Sequence, residues 1–442
     1  MDHLFAARAQ FATSLMFHIV FAVYGIGMPL LMLIAEGAWL RTGDALFLDL
    51  AKRWARAAGI LFAVGAVSGT VISFELGLLW PKFMQFAGAI IGMPFSMEGF
   101  AFFIEAIFLA LYLYGWKRLS PRAHFLTGLP VAISGALSGI FIVDANAWMN
   151  SPTGFHMVAG QVRDVDPIAA ILNPFWATEA THMLIAAYVT VGFGVAAVHA
   201  VALLRDRRDA YARRGFAIAF AVAAILSPFQ FISGDANART VAALQPPKLA
   251  AMEALFHTTP CAPEMLGGIP DVAHQSVKYG IGVPCGLSML TKFDPHAVIA
   301  GLDAFPKSDR PNTLVVHLAF QIMVAVGTGL VLLGMWGFVG AWRTRQTPTN
   351  PWLLRATIAA GGLSVVAIEA GWIVTEVGRQ PWAVYHVFTT AQSVTAASNT
   401  IIPSFVVFSG IYVLLSAVLI WLLLRLATSP LPDQPGARSE GR

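Results

Sequence analysis

The sequence predicts an all-α, polytopic membrane helix bundle with about nine transmembrane helices. Hydrophobic residues make up 57% of the 442 residues and charged residues only 12%, whereas soluble domains average roughly 25% charged residues. Apolar runs of about 20 residues, the length that crosses a bilayer, recur along the chain. Basic residues, in turn, concentrate in alternate connections between these runs. We therefore expect a single membrane domain over residues 1–442 rather than the several soluble domains that the length alone would suggest.

Nine apolar runs account for the predicted helices. The first, which follows MDHLFAARAQ, lacks a basic leading segment and a small-residue cleavage site. We therefore expect it to be retained as a helix rather than removed as a signal peptide. The nine runs are centred on residues 14–38, 57–79, 93–115, 123–146, 178–204, 215–233, 313–341, 353–376 and 402–426.

The distribution of basic side chains predicts the orientation in the membrane. Fifteen Lys and Arg residues lie in the connections after the first, third, fifth and seventh runs, against three after the second, fourth and eighth. Because basic connections face the cytoplasm, we expect the N-terminus outside and the C-terminus, with its tail LPDQPGARSEGR, inside. The net charge of +4 reflects these inner connections and predicts no nucleic-acid partner.

The connection over residues 234–312 is unusually long and, by the same count, lies outside. Loops beyond ~12–15 residues are usually functional or disordered, and this one contains a helical-looking piece, LAAMEALF, among Gly and Pro residues. It also holds the only two cysteines, Cys261 and Cys285. In an oxidising compartment this pair is typical of a disulfide, with two unpaired small residues as the alternative.

Ionisable residues inside the predicted helices are candidates for function because burying them in a membrane is costly. With the expected orientation, most of them lie near the outer face, and we predict a buried polar cluster that binds a cofactor. Imidazole, thioether and carboxylate groups among aromatics suit haem, although the residues alone do not name the cofactor. These residues are His18, Glu75, Glu98, Glu105, Asp144, His182, His199, His317, Glu369 and Glu376, with Met323 near His182 in depth.

Some of these residues also have a plainer interpretation. His199 and His317 lie near helix ends and are interpreted as interfacial side chains. Glu75 and Asp144 are interpreted as carboxylates that reach the outer headgroups. From periodicity alone, Met323 is a packing residue.

The run EAGWIVTEVGRQPW places Glu369 and Glu376 two helical turns apart on one face. A carboxylate in hydrocarbon costs at least ~2.5 kcal/mol, so two on one face indicate function. Glu369, two turns deeper than Glu376, is assigned to proton handling or to a hydrogen bond in its protonated form, because a neutral acid costs less to bury.

Six runs of the sequence carry a family resemblance: RAQFATSLMFH, MEGFAFFIEAIF, DANAWMNSP, KLAAMEA, AFQIMV and EAGWIVTEVGRQPW. With these runs the chain resembles subunit I of the cytochrome bd-type quinol oxidases along nearly its whole length. The GRQPW that follows the second glutamate of the last run is highly specific. The resemblance implies a terminal respiratory oxidase of the bacterial cytoplasmic membrane that oxidises ubiquinol or menaquinol and reduces O₂ to water. It also implies that proton-motive force is generated without pumping.

The resemblance implies a role for each matching residue. His182 and Met323 match the axial ligands of a low-spin haem b. His18 and Glu376 match single ligands of two high-spin haems, one of them haem b and the other usually haem d. A bond to haem iron would offset the burial of the Glu376 charge, and Arg379 is then placed to pair a haem propionate, whereas Glu369 is too deep to reach the same iron. The remaining matches are Glu98 beside the O₂-reducing haem, Glu105 and Ser138 on a proton path from the cytoplasm, and Lys248 and Glu253 as quinol contacts in the loop 234–312.

Two departures from the family pattern point to one branch. Gln321 stands where many members carry Arg, and the loop matches the shorter of two versions. Both features fit the cyanide-insensitive oxidases, in which haem b can replace haem d. The absence of a cationic Arg at this position is expected to shift the potential of the low-spin haem.

The resemblance also implies partners and leaves two other functions open. The family pairs this chain with a membrane subunit II and often with a small single-span subunit, within membrane lipid. A relative fed by cytochrome c is one alternative, although no Cys-X-X-Cys-His motif occurs. A proton-coupled transporter that uses the carboxylates as relays, without haem, is the other.

Overall fold

The computed structural model describes residues 3–394 and 401–429. Within these ranges nine helices are long and apolar enough to cross a membrane. The predicted fold class and number of spans are therefore confirmed. The polar tail LPDQPGARSEGR lies outside the described residues.

The helices are longer than the apolar runs predicted, because polar turns extend them at both ends. The described helices are α1 (His3–Thr42), α2 (Ala45–Leu79), α3 (Pro81–Tyr114), α4 (Pro121–Asn150), α5 (Pro167–Ile171), α6 (Trp176–Arg205), α7 (Ala210–Leu244), α8 (Pro246–Met252), α9 (Gly286–Lys292), α10 (Thr313–Thr344), α11 (Pro351–Arg379), α12 (Thr390–Ser393) and α13 (Ile401–Thr428).

Side-chain caps explain where several of the long helices begin. Asp44, Ser120, Asp209, Asn312 and Asn350 precede α2, α4, α7, α10 and α11, and each side chain accepts a hydrogen bond from a backbone N–H of the first turn. These N–H groups have no partner within the helix, so the cap satisfies them. The connections between spans can therefore be short.

The long helices form two bundles of four and one peripheral helix. In the first bundle α1, α2, α3 and α4 contact one another in a ring, and in the second α6, α7, α10 and α11 do the same. The bundles meet where α1 and α4 contact α6, while α13 lies against α1 and α2. Helices α1 and α3, and likewise α6 and α10, are thus diagonal partners that face each other across a bundle interior.

The two ends of the molecule differ in their connections. At one end, called here the loop end, lie the connections that follow α2, α4, α7 and α11, and these include all the strands. At the other, called here the basic end, short connections follow α1, α3, α6 and α10. The connections that are rich in basic residues therefore all lie at one end of the folded chain.

The long connection begins later than predicted, because α7 continues to Leu244 rather than ending before residue 234. The strands of the chain are short and antiparallel. They pair as β1 (His156–Val158) with β2 (Gln161–Arg163), β3 (Thr259–Pro260) with β8 (Val298–Ile299), β4 (Glu264–Leu266) with β7 (Ile281–Val283), β5 (Ile269–Asp271) with β6 (Ser276–Lys278), and β9 (Trp382–Val384) with β10 (Phe388–Thr389).

Residues 245–312, called here the long loop, are held at their base by covalent and polar contacts. Cys261 and Cys285 form a disulfide, which confirms the predicted bridge. Beyond it, β4 to β7 form one nested hairpin that ends in a turn at residues 272–275. The loop is therefore a folded element rather than a disordered connection.

Side chains of α10 fasten this hairpin to the membrane bundle. His317 is fully buried, with its ring nitrogens 2.7 Å from Met252 O and 3.2 Å from Gly267 O. Gln321 lies one turn further along, donates to Met265 O at 2.8 Å and accepts from the backbone N–H of Gly267 at 2.8 Å. The prediction that His317 is an interfacial side chain is wrong, because the loop covers it.

Candidate functional site

The first bundle carries one candidate ligand on α1. His18 is half-buried, and its Nδ1 lies 2.9 Å from the hydroxyl of Ser68 on α2. Among the described residues no hydrogen bond to its Nε2 is found. A partner at one ring nitrogen fixes the orientation of the ring and leaves the other nitrogen for a metal.

Three further predicted residues line the interface of α3 and α4. The hydroxyl of Ser138 donates to a carboxylate oxygen of Glu98 at 3.3 Å. Glu105 is buried two turns further from the loop end, against Gly25 and Gly135, whose lack of side chains gives it room. The structure therefore brings Glu98, Ser138 and Glu105 into one file of polar groups between two helices.

The second bundle carries His182 and Met323 on the diagonal helices α6 and α10. The hydroxyl of Ser233 lies 3.1 Å from His182 Nδ1, and the amide nitrogen of Gln230 lies 3.2 and 3.1 Å from the two ring nitrogens. Both Ser233 and Gln230 belong to α7. Facing helices of a bundle are a usual place for cofactor ligands, so this pair has the expected arrangement.

Glycines lie beside each of these three candidate ligands. A Cβ added at Gly69 would be 3.0 Å from His18 Cε1, one at Gly234 would be 3.1 Å from His182 Cε1, and one at Gly371 would be 3.2 Å from the sulfur of Met323. Such distances are tighter than ordinary side-chain contacts. A Cβ at any of these positions would therefore require the neighbouring side chain to shift by a few tenths of an ångström.

Glu376 lies near the loop end of α11 in a polar setting. It accepts a hydrogen bond from the amide of Asn146 and forms an ion pair with Arg379 at 2.5 Å. Arg379 is buried, and its Nε and Nη1 have no partner among the described residues. A buried guanidinium with free donors suits an additional anion such as a haem propionate.

A buried network joins Glu376 to the long loop. Asn150 accepts a hydrogen bond from the ammonium of Lys248 at 2.7 Å and donates to Asn146 Oδ1 at 3.0 Å. Since Asn146 in turn donates to Glu376, a chain of two amides connects the loop lysine to the candidate iron ligand. The pKa of Lys248 is lowered to about 7, mainly by burial and secondly by the nearby charge of Arg379.

Two carboxylates lie together near the start of the long loop. Glu253 is buried directly after α8, and one of its oxygens has no partner among the described residues. Burial, and then the nearby charge of Glu264, raise its pKa well above the usual range. Burial also raises the pKa of Glu264 to about 7, so one of the two carboxylates can change its protonation near neutral pH.

Glu369 lies where α11 meets α1 and α6. It lines a narrow internal space together with Tyr24 and Thr190. Neither of its carboxylate oxygens has a hydrogen-bond partner among the described residues. Proton handling and a hydrogen bond in the protonated form both stay predictions for this residue.

Three of the plainer interpretations are corrected by burial. Glu75 accepts from Gln10 at 2.9 Å and from Ser14 at 3.0 Å inside the bundle. Asp144 is likewise buried and accepts from the amide of Asn173 at 3.1 Å. Neither carboxylate reaches the headgroups. His199 is buried near the basic end, edge-on to Trp54, rather than at an interface.

The polar groups near the loop end thus form several clusters rather than the single cluster that was predicted. Sequence reasoning also missed the residues that connect them, namely Asn146, Asn150, Glu179, Gln245 and Glu264. Asn146 and Asn150 had a visible signal, since they lie four apart in the run DANAWMN and so share one helix face. Glu179 is buried and accepts from Thr375 at 3.3 Å.

The residues present fit haem at both bundles. The donor set of imidazole, thioether and carboxylate is one that haem iron accepts. The free donors of buried Arg379 are available for an anionic group such as a propionate. His18, His182, Met323 and Glu376 are therefore the candidate ligands for haem iron.

Comparison with known proteins points to one family. Residues 6–430 match the family model described as cytochrome bd terminal oxidase subunit I. The chain is 36% identical over 428 residues to a Bacillus subtilis (strain 168) protein with the provisional name cytochrome bd menaquinol oxidase subunit I, covering 96% of each chain. It is 32% identical to the cytochrome bd ubiquinol oxidase subunit 1 of the same organism, covering 96% of this chain and 93% of the relative.

A solved structure shares the fold. The bd oxidase from Geobacillus thermodenitrificans superposes with a TM-score of 0.91 at 38% sequence identity, covering 96% of this chain and 98% of the matched chain. At this level of identity and coverage, the nine-helix arrangement described above is that of the matched chain.

Proposed function

The chain belongs to the cytochrome bd terminal oxidase subunit I family, and from this premise we infer that it is the quinol-oxidising subunit of a respiratory O₂ reductase. It is a quinol:oxygen oxidoreductase and a multi-pass protein of the bacterial inner membrane. The observation that carries the function is the match over residues 6–430, joined to a site whose side chains fit haem. Its complex includes a subunit II, with quinol and O₂ as substrates.

We propose that His182 and Met323 would hold a low-spin haem b. His18 and Glu376 would be the single protein ligands of two high-spin haems, one of them haem b and the other haem d or a haem b in its place. Bound haem would supply electron transfer at the low-spin site and O₂ reduction at the high-spin sites. The position of His182 and Met323 on facing helices and the free donors of Arg379 support the assignment, and pyridine haemochrome analysis identifies the haem types.

Quinol oxidation is proposed at the base of the long loop, within the predicted loop 234–312. The ammonium of Lys248 donates a hydrogen bond to a quinol oxygen while Asn150 fixes its position. A raised pKa brings the basicity of Glu253 closer to that of a quinol hydroxyl, which suits proton transfer. Glu264, with a pKa of about 7, then passes the proton from Glu253 towards solvent.

Protons for O₂ reduction are proposed to enter from the opposite side. The basic end faces the cytoplasm under the positive-inside rule, which gives an outer N-terminus and an inner C-terminus. Glu105 and then Ser138 with Glu98 carry protons towards the loop end, and Glu369 with Tyr24 forms a second proton-handling position. Quinol protons are released outside, so each electron moves about one charge across the membrane without a pump.

The quinol donor, a small additional subunit and the branch of the family are also proposed. Both menaquinol and ubiquinol are candidate donors, since one relative is named for each, and a small single-span subunit is an expected partner. We propose the short-loop, cyanide-insensitive branch, because Gln321 stands where many members carry Arg and the loop matches the shorter version. A cytochrome c donor and a haem-free transporter are not favoured, as the relatives are quinol oxidases.

Glu253→Gln is expected to slow quinol-driven O₂ consumption at least roughly tenfold, because the general base is lost. Oxidase activity driven by an artificial electron donor that bypasses the loop should be spared. The measurement is O₂ uptake by the purified complex with menaquinol, ubiquinol and the artificial donor in parallel.

Asp303→Asn provides a matched control, since it removes an exposed carboxylate of the same loop whose partners are Thr258 and His257. It should leave both activities near the wild-type values. Equal loss of both activities in Glu253→Gln would indicate misfolding of the loop instead of loss of a base.

A further inference from the structure

A groove at the basic end of the molecule is unrelated to the sites described above. It has a volume of about 730 Å³ and lies between α1, α2 and α7, with Thr347 after α10 at its edge. Its volume falls in the ~300–1,000 Å³ range of small-molecule sites.

The walls and the mouth of the groove have opposite character. Ile34, Phe47, Ile218, Val222 and Ile225 contribute apolar walls. The lining of α7 extends from Ala210 to Ile225, which is roughly 22 Å along the helix axis. One leaflet of a bilayer has a hydrocarbon depth of about 15 Å, so the groove is long enough for an acyl chain with its head at the interface.

Arginines surround the mouth of the groove at its end nearest the connections. Arg208, Arg213 and Arg214 all line it. Arg214 is ion-paired with Asp44 at 2.5 Å, whereas the guanidinium groups of Arg208 and Arg213 have no hydrogen bond or ion pair among the described residues. Two positive charges are thus available at the end of the groove nearest the connections.

We propose that this groove is a binding site for one anionic phospholipid of the leaflet at the basic end. An acyl chain lies along the apolar wall of α7, and Arg208 and Arg213 bind the phosphate. Basic pockets between transmembrane helices on the cytoplasmic side are suited to anionic headgroups, and guanidinium groups bind phosphate in a bidentate manner. The charge complementarity distinguishes this groove from the plain apolar faces that contact bulk lipid.

The test is phosphatidylglycerol binding to the purified complex with subunit II, followed by native mass spectrometry during titration in detergent. Arg208→Gln/Arg213→Gln is expected to weaken the tightest phosphatidylglycerol site about thirtyfold, from about fivefold for each arginine. The affinity of phosphatidylcholine for the wild-type protein should be no higher than its affinity for the double variant.

Two further variants separate the groove from overall charge and from misfolding. Ala221→Phe fills the groove without changing any charge and should also abolish the tight site, with haem spectra unchanged. Arg118→Gln/Arg122→Gln removes two exposed arginines of another connection at the basic end and should bind phosphatidylglycerol as the wild type does.

Four results would overturn the proposal. One is an unchanged tight site in Arg208→Gln/Arg213→Gln. Another is an equal loss in the Arg118→Gln/Arg122→Gln control, since the effect would then be one of total charge. The third is displacement of phosphatidylglycerol by inorganic phosphate alone, since the groove would then bind an ion. The fourth is loss of subunit II from the double variant, since the groove would then be a protein contact.

Discussion

Glu376→Ala is expected to remove the high-spin haem absorption that depends on this residue and to abolish O₂ reduction, while the haem of His182 and Met323 persists. Replacing even an outer partner of a metal ligand costs 10–100-fold, so loss of the ligand itself should lower turnover by more than about a hundredfold. The measurement is the reduced-minus-oxidised spectrum of the purified complex together with O₂ uptake.

The structure explains why a second variant is needed. Arg379 is buried and ion-paired with Glu376, so Ala leaves an unpaired cation and lowers stability. Glu376→Gln keeps the volume and an acceptor for the amide of Asn146, and should lose the same haem signal with less damage to folding.

Two other carboxylates serve as matched controls for Glu376. Glu369→Gln is expected to keep all the haems and to change only turnover or its pH dependence, because Glu369 lies two turns further from the loop end than Glu376 and lines an internal space with Tyr24 and Thr190. Glu75→Gln replaces a carboxylate, one oxygen of which accepts hydrogen bonds from Gln10 and Ser14, and should keep every haem. If Glu369→Gln strips a haem while Glu376→Ala keeps all of them, the two assignments are reversed.

His182→Ala and Met323→Ala should each remove the low-spin haem spectrum and quinol oxidation while leaving the subunit in the membrane. The two ligands come from diagonal helices of the second bundle, so neither can replace the other. Loss of either side chain would leave the haem without one of its two proposed protein ligands, and quinol-driven O₂ uptake should fall by more than about a hundredfold. Low-temperature absorption spectra and quinol-driven O₂ uptake measure both effects.

Controls on the same helices test the specificity of this effect. His199→Ala removes a second buried imidazole of α6, and Met335→Ala removes an exposed thioether of α10. Neither should change the low-spin spectrum. An unchanged spectrum in both His182→Ala and Met323→Ala would falsify the assignment of the axial pair.

The features that local composition determines were predictable from the sequence. Hydropathy located nine spans because a lipid-facing helix must be apolar along about 20 residues. Where α7 ends was missed, since its last turns are polar and resemble a loop. An ion pair between Asp235 and Arg239, one turn apart, supports the helix there, and only the fold reveals that this end packs beneath the long loop.

The partners of buried groups were not predictable because they join distant parts of the chain. Glu75 accepts a hydrogen bond from Gln10, 65 residues earlier, and the ring nitrogens of His317 lie within hydrogen-bond distance of backbone carbonyls of the long loop. No local pattern reports such contacts, so Glu75 and His317 were assigned to the membrane interface. The candidate ligands were reached only through the resemblance of whole motifs, since spacing alone left Met323 as a packing residue.

The nested hairpin of the long loop has a consequence for how this protein tolerates change during evolution. Its base is fastened by His317, Gln321 and the disulfide, whereas its tip at residues 272–275 is an exposed turn far along the chain from Lys248 and Glu253. Insertions are tolerated best at exposed turns whose backbone makes few contacts. Family members with longer loops can therefore gain residues at this tip, and acquire new regulatory surfaces there, without disturbing the chemistry at the base.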